Sequence, residues 1–133
     1  MKLYFKNNVV DREIANDMKL YLTLKKQVNE IDNAVFNFAM ASRLNPCKPY
    51  VERILLLMHS KDLKLLKMIK IRNFLKQVDT KYLNLVASRF IFGKSDRELS
   101  ELFKISKRSL YRLFTKIDNS YKEIKHGKKY ILK

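Results

Sequence analysis

Glycine and proline are scarce in this chain, and their scarcity limits the folds that it can adopt. Only two glycines and two prolines occur in 133 residues, too few for the many tight turns of a β-sandwich. Long stretches contain no helix-breaking residue, while 47% of the residues are hydrophobic. The composition therefore predicts an all-α protein that is rich enough in apolar residues to form a core.

Residues that carry out chemistry are also few. The single cysteine, Cys47, excludes an internal disulfide and a cysteine-based zinc site. The two histidines, His59 and His126, lie far apart in the sequence and have no cysteine or paired acid at metal-ligand spacing. Gly93 and Gly127 alone cannot form a glycine-rich phosphate loop. We therefore predict no catalytic residue, no metal site and no cofactor, and we do not expect an enzyme.

Long apolar runs are missing as well. No stretch of about 18 apolar residues occurs and no signal peptide is recognisable, which predicts a cytoplasmic protein without a membrane span. Lysine and leucine alternate within residues 51–78, a pattern that also occurs in helices lying on membrane surfaces. A supporting helix with a solvated face is the interpretation that we favour for this segment.

Acidic residues are outnumbered, and the imbalance is uneven along the chain. The formal net charge is +16. Residues 1–50 contain eight basic and five acidic residues, a net charge of +3, and residues 51–133 contain 21 and eight, a net charge of +13. A basic field of this size attracts polyanions and makes their binding dependent on salt. The second part of the chain is therefore the candidate for binding nucleic acid.

Residues 95–114 have the pattern of a helix-turn-helix. Ser95 precedes Glu98 at capping-box spacing, and Ser106 is placed to cap the second helix. Ile105 falls in the turn, beside Lys104 at a position where glycine with a positive φ is common. The expected apolar stripes are Leu99, Leu102 and Phe103 in the first helix and Leu110, Leu113, Phe114 and Ile117 in the second.

The second of these helices is basic outside its apolar stripe. The remaining residues are Lys107, Arg108, Ser109, Tyr111, Arg112, Thr115 and Lys116. A basic face that starts at a helix N-terminus suits a DNA groove, because the first residues reach base edges while the terminal amides favour phosphate. The alternative is a short helical hairpin whose basic face is only solvated.

Three segments are predicted before this motif. Residues 1–10 form a short strand or an extended arm. A long helix runs from Asp11, its N-cap, to about Ser42. Its apolar stripe serves either packing within the chain or a homodimer interface. The two prolines of residues 43–50 end that helix and mark a domain boundary. Residues 51–78 are helical again, with a break near residues 59–62 and an apolar side of Ile54, Leu55, Met58, Leu65, Leu66, Ile69 and Leu75.

A trihelical unit is predicted for residues 79–125. Its first helix runs over about residues 80–92, is capped by Asp79 or Thr80, and is ended by Gly93. Tyr121 and Ile124 are expected to complete its core. The basic residues 126–133 form a tail that is either disordered or touches the DNA backbone.

Within this region the sequence resembles region 4 of bacterial sigma factors. The resemblance covers about residues 63–124, and its motifs lie in residues 78–86, 89–96 and 99–112. Small phage-encoded regulators of the ArpU and RinA type, which have such a helix-turn-helix behind a helical N-terminal part, are more similar still. The resemblance implies transcription control, typically activation of phage late genes. It implies that DNA is contacted by Ser106, Lys107, Arg108, Ser109, Tyr111 and Arg112.

The expected partner is therefore double-stranded DNA. We expect base readout by Lys107, Arg108, Ser109 and Arg112, and phosphate contacts by Lys94, Ser95, Lys104 and Lys116. Two alternatives remain open. The protein is an interaction protein that holds RNA polymerase or a phage protein, with an incidental or RNA-binding basic surface, or it is a sigma-like factor that binds polymerase and promoter together.

Overall fold

The computed structural model describes residues 12–45 and 50–132, and nearly all of these residues are helical. Five helices follow one another in chain order, and the described residues contain no strand, so the all-α prediction is confirmed. They are α1 (Glu13–Leu44), α2 (Tyr50–Leu75), α3 (Thr80–Phe90), α4 (Asp96–Phe103) and α5 (Lys107–Leu132). The predictions for residues 1–10, the Asp11 cap and Cys47 lie outside the described residues.

The second helix differs from its prediction. We expected a break near residues 59–62, but α2 is continuous from Tyr50 to Leu75, so this prediction is wrong. No proline or glycine occurs in this segment, and the polar residues within it continue a helix at little cost. Lys61 also forms an ion pair with Asp32 of α1, with Nζ 2.7 Å from Oδ1, which holds the segment against its neighbour.

The chain divides into two compact units. One consists of residues 12–20 and 71–132 within the described chain, and the other consists of residues 21–70. We expected boundaries after residues 50 and 78. The unit of residues 21–70 extends past residue 50, and the other unit resumes at Ile71. Both long helices run from one unit into the other, so neither unit boundary coincides with a break in secondary structure.

The unit of residues 21–70 is a helical hairpin. Its buried side chains are Leu24, Val28 and Ile31 of α1 and Met68 of α2. Where α2 begins, the rings of Phe38 and Tyr50 lie 5.7 Å apart between centroids. The members of the stripe predicted for α1 are all buried or half-buried, although Leu24, which the pattern leaves off the stripe, is buried as well. The stripe consists of Ile14, Met18, Tyr21, Val28, Ile31, Val35 and Phe38. This stripe is therefore used for packing within the chain.

The apolar side predicted for α2 is largely wrong. Leu55, Met58, Leu66 and Ile69 are exposed, whereas Met68 and Ile71 are buried. Apolar residues occur all round this helix. The face that meets α1 therefore decided which of them are buried, and the sequence pattern alone does not identify that face.

The other unit contains the predicted trihelical arrangement together with the first turns of α1. Its buried core is formed by Ile14, Ala15, Leu85, Val86, Leu99, Leu110, Phe114, Ile117 and Tyr121. Asp79 caps α3 by accepting a hydrogen bond from the Lys81 amide at 3.1 Å, and Gly93 follows the helix with a φ of 71°. α5 is interrupted at Gly127, whose φ of 66° and ψ of −167° are not helical. Beyond this kink, helical structure extends through the predicted tail to Leu132.

Candidate nucleic-acid interface

The first helix of the motif begins with the predicted capping box. The Ser95 hydroxyl accepts a hydrogen bond from the Glu98 amide at 3.1 Å, and the Glu98 carboxylate accepts one from the Ser95 amide at 3.0 Å. The hydrogen bond from the Ser95 backbone lowers the pKa of Glu98 below its usual value. Of the predicted stripe, Leu99 is buried and Phe103 is half-buried against the core, but Leu102 is exposed, so the prediction for Leu102 is wrong.

The turn is tight although it lacks glycine. Lys104 takes a left-handed conformation with a φ of 55°, the only positive φ of a non-glycine residue in the described chain. The amide of Ile105 donates to the Ser100 carbonyl at 3.1 Å, and the Ile105 side chain packs against the core. The short turn and the half-buried Ile105 orient α5 relative to α4.

Ser106 caps the second helix as predicted. Its hydroxyl accepts a hydrogen bond from the Ser109 amide at 3.1 Å and donates to the Ser109 hydroxyl at 3.0 Å. Both serines are exposed at the N-terminus of α5, where the helix dipole and remaining free amides favour negative charge.

The outward face of α5 is basic. Leu110, Phe114 and Ile117 are buried, while Arg108, Arg112 and Lys116 are exposed on the opposite side of the helix. Within the described residues these three basic side chains form no ion pair. Asn119 is exposed and lies on the same face one turn further along, a residue that our sequence analysis did not include. These side chains form the outward basic face, defined here as Arg108, Arg112, Lys116 and Asn119.

The remaining predicted residues lie at the ends of α4 and α5. Lys104, Ser106 and Lys107 are exposed around the turn, as is Ser95 at the start of α4. Lys94 is half-buried, and its backbone amide donates to the Ser88 carbonyl at 3.0 Å. Lys116, which we expected to contact phosphate, thus shares a face with Arg108 and Arg112, whereas Lys107, expected to read bases, lies at the turn. The contacts to DNA stay a prediction.

Arg12 is a feature that sequence analysis missed. This residue immediately precedes α1, yet it lies against α5, with its guanidinium 5.1 Å from the ring centroid of Tyr111. Its Nη1 donates to the Thr115 hydroxyl at 3.3 Å. Burial lowers the pKa of Arg12 below its usual value. Tyr111 and Thr115, which we assigned to the DNA-facing side, thus also support the start of α1.

Asp118 joins α1 to α5. The Arg12 side chain offers no oxygen to cap α1, and the buried Asp118 carboxylate supplies one by accepting a hydrogen bond from the Ile14 amide at 2.9 Å. Its other oxygen lies 3.5 Å from Nζ of Lys122. A carboxylate at a helix N-terminus satisfies a free amide and complements the helix dipole. The cap of α1 is therefore tertiary, because it comes from the helix that carries the basic face.

A second polar contact between the same two helices lies about one turn further along each of them. The Tyr121 hydroxyl is buried and donates to Asp17 Oδ2 at 2.7 Å. Lys125 Nζ lies 2.7 Å from Glu13 Oε2 and 3.0 Å from Asp17 Oδ2. Burial, reinforced by the bond to Asp17, raises the pKa of Tyr121 far above its usual value. Burial opposes the charges of Glu13 and Lys125, but their mutual attraction outweighs it, lowering the pKa of Glu13 and raising that of Lys125.

Comparison with known proteins identifies no relative. No protein-family model matches the chain, and no curated protein or solved structure matches it either. The resemblance to sigma region 4 and to the phage regulators therefore stays a prediction. None of the described helices has the length and apolarity needed to cross a membrane. The described residues also contain no cluster of three or more His, Cys, Asp or Glu side chains that could hold a metal ion.

Proposed function

We propose that this protein is a sequence-specific DNA-binding transcriptional regulator of the phage or prophage late-gene type. The observation that carries the proposal is the outward basic face on a helix capped at its N-terminus and held by a helix-turn-helix. Arg108, Arg112 and Lys116 project away from the buried stripe of the same helix. The late-gene assignment rests only on the resemblance of the sequence.

Base recognition falls to the first turns of α5. Arg108 and Arg112 have unpaired guanidinium groups among the described residues, so they are available to guanine in the major groove. Lys107 and Ser109 lie beside them at the helix N-terminus. A bidentate arginine–guanine contact discriminates against the wrong base by roughly 1–3 kcal/mol.

Phosphate contacts orient the protein on the duplex. Ser95 and Ser106 begin the two helices of the motif, and their terminal amides favour a phosphate group. Lys94, Lys104 and Lys116 add positive charge around them. Since each phosphate neutralised releases counterions, the binding constant falls steeply with salt, with a slope of about −0.9 per contact in a log–log plot.

Fluorescence anisotropy tests this proposal. Binding of the full chain is titrated against salt, once with a duplex selected from a random pool and once with unselected duplex. Arg112→Ala is expected to weaken specific binding roughly 5- to 150-fold, the equivalent of 1–3 kcal/mol, and to affect unselected DNA far less. Arg43→Ala is the matched control, because it removes the same charge from an exposed site in the other unit. Equal losses on both duplexes, or equal losses in both variants, would contradict base recognition by Arg112.

A factor that binds RNA polymerase, including one of sigma type, is the second candidate function. The observation that favours it is the exposed apolar surface of α2, which includes Leu55 and Leu66. Such a partner would depend on this surface rather than on Arg108 and Arg112. A pull-down of purified polymerase separates the two functions: Leu66→Gln should lose the polymerase, whereas Arg112→Ala should retain it.

A further inference from the structure

The outer face of α2 is the largest feature that the proposed function leaves unexplained. Seven large apolar side chains of this helix are about half or more exposed, from 48% for Met58 to 70% for Leu56. They are Val51, Leu55, Leu56, Met58, Leu63, Leu66 and Ile69. We call these seven residues the α2 surface.

The size of the α2 surface is that of a protein interface. At about 100 Å² for each of the seven side chains, it amounts to about 700 Å², close to the ~800 Å² that each partner contributes to a standard interface. Apolar patches on monomeric proteins rarely exceed a few hundred Å². Leaving this area in water costs free energy that association would recover.

The spacing of apolar residues along α2 suits another helix. Val51, Leu55, Met58, Leu65 and Ile69 follow the alternating three- and four-residue steps of a heptad seam, with Asp62 at the remaining central position. The six seam positions are symmetric about the midpoint between Met58 and Asp62, and Asp62 is the one position among them that is not apolar. A seam whose positions have this symmetry can pair with its own reverse, which is what a two-fold interface between antiparallel helices requires.

We infer that a second copy of this chain covers the α2 surface, with the two α2 helices antiparallel. Parallel pairing in register would place the two Asp62 carboxylates opposite each other, where like charges repel. Antiparallel pairing centred between Met58 and Asp62 places Asp62 opposite Met58 of the partner and Val51 opposite Ile69. The two carboxylates are then about 6 Å apart along the axis, from the helical rise over four residues.

The proposed dimer does not depend on the proposed function. Only its expected effect on DNA binding rests on that function. A dimer carries two copies of α5, so it would bind a pair of half-sites. Loss of the dimer should therefore shorten the footprint on specific DNA, whereas loss of Arg112 should weaken binding and leave the dimer intact. Failure of one proposal is thus distinguishable from failure of the other.

Sedimentation equilibrium over a dilution series of the full chain tests the dimer. The wild type is expected at twice its chain mass of 15.9 kDa, and the double variant Leu55→Gln, Leu66→Gln at the chain mass itself. Glutamine keeps the net charge and favours helix, so circular dichroism should show both proteins equally folded. The control is Leu22→Gln, an exposed leucine on α1 of the same hairpin, which should leave the dimer unchanged.

Cross-linking tests the orientation. In a Cys47→Ser background, Val51→Cys and Ile69→Cys chains should form disulfide-linked dimers when mixed and not when oxidised separately. Cross-linking of either variant alone would overturn the antiparallel arrangement. A monomeric wild type would overturn the dimer. The dimer would also be overturned if the monomeric wild type bound anionic phospholipid vesicles or purified RNA polymerase through Leu55 and Leu66. The α2 surface would then serve another partner.

Discussion

Replacing Asp118 should reveal how much the start of α1 contributes to the stability of the unit that carries the outward basic face. The Asp118 carboxylate is 5% exposed, and one of its oxygens accepts the Ile14 amide at 2.9 Å across a separation of 104 residues in sequence. Asp118→Ala removes this acceptor and leaves the amide buried against the core. The change also deprives Lys122 of its nearest carboxylate.

The expected loss follows from that single bond. Removing a helix N-cap costs about 1 kcal/mol, and a buried amide without a partner costs about 1–3 kcal/mol. Because both figures describe the same hydrogen bond, we expect the free energy of unfolding to fall by about 2 kcal/mol. Asp118→Asn keeps a carbonyl oxygen but loses the charge at the helix terminus, so it should cost about 1 kcal/mol.

Urea denaturation followed by circular dichroism and tyrosine fluorescence measures these changes. The control is Asn119→Ala, an exposed neighbour on the same helix, which should change the free energy of unfolding by less than about 0.5 kcal/mol. If Asp118→Ala were as stable as this control, the tertiary cap would not stabilise the fold. If Asp118→Asn were as damaging as Asp118→Ala, the charge rather than the bond to Ile14 would be responsible.

Three further predictions concern the same unit. Leu110→Asp buries a carboxylate at a position that is 1% exposed, so the unit should unfold; a folded variant by circular dichroism would refute the core assignment. Lys104→Gly should raise the free energy of unfolding by about 0.5–1 kcal/mol, because glycine adopts the left-handed turn without strain, while Lys104→Ala should give no such gain in urea titrations. The melting temperature should fall above about pH 10, because the raised pKa values of Tyr121 and Lys125 make their deprotonation unfavourable in the folded state. It should also fall below about pH 4.3, because the lowered pKa of Glu13 makes its protonation unfavourable in the folded state. Glu13→Gln should reduce the acidic decline and also weaken the basic one, because Glu13 is one of the two carboxylates that raise the pKa of Lys125. Equal acidic profiles in both proteins would contradict this role.

Much of the helix-turn-helix could be predicted because its signals are local. Ser95 with Glu98, and Ser106 with Ser109, form hydrogen bonds between residues three positions apart. The left-handed conformation of Lys104 falls at the turn position where such motifs commonly have glycine, and lysine adopts it only at some cost. Local hydrogen bonds and apolar periodicity depend only on neighbouring residues, so a single sequence contains them.

Contacts between the ends of the chain could not be predicted in this way. The one signal for them was Asp118, an acidic residue within the apolar stripe between Ile117 and Tyr121. An acidic residue at such a position indicates that its carboxylate has a buried hydrogen-bond partner. The sequence does not identify that partner, because Ile14 is more than one hundred residues away. The same limit explains the error in α2, where apolar residues surround the helix and only its neighbour determines which of them are covered.

By itself, the sequence determined the helical class, the two capped helices, their turn and the basic outward side of α5. It did so because capping, helical periodicity and the charge of a solvated face all act over one or two turns of chain. Tertiary structure alone decided that residues 12–20 belong with residues 71–132, that Asp118 caps α1, and that the apolar surface left uncovered lies on α2. Each of these three features depends on which segments, distant in sequence, pack against each other. Whether a residue is buried is determined by that packing and not by its own segment alone.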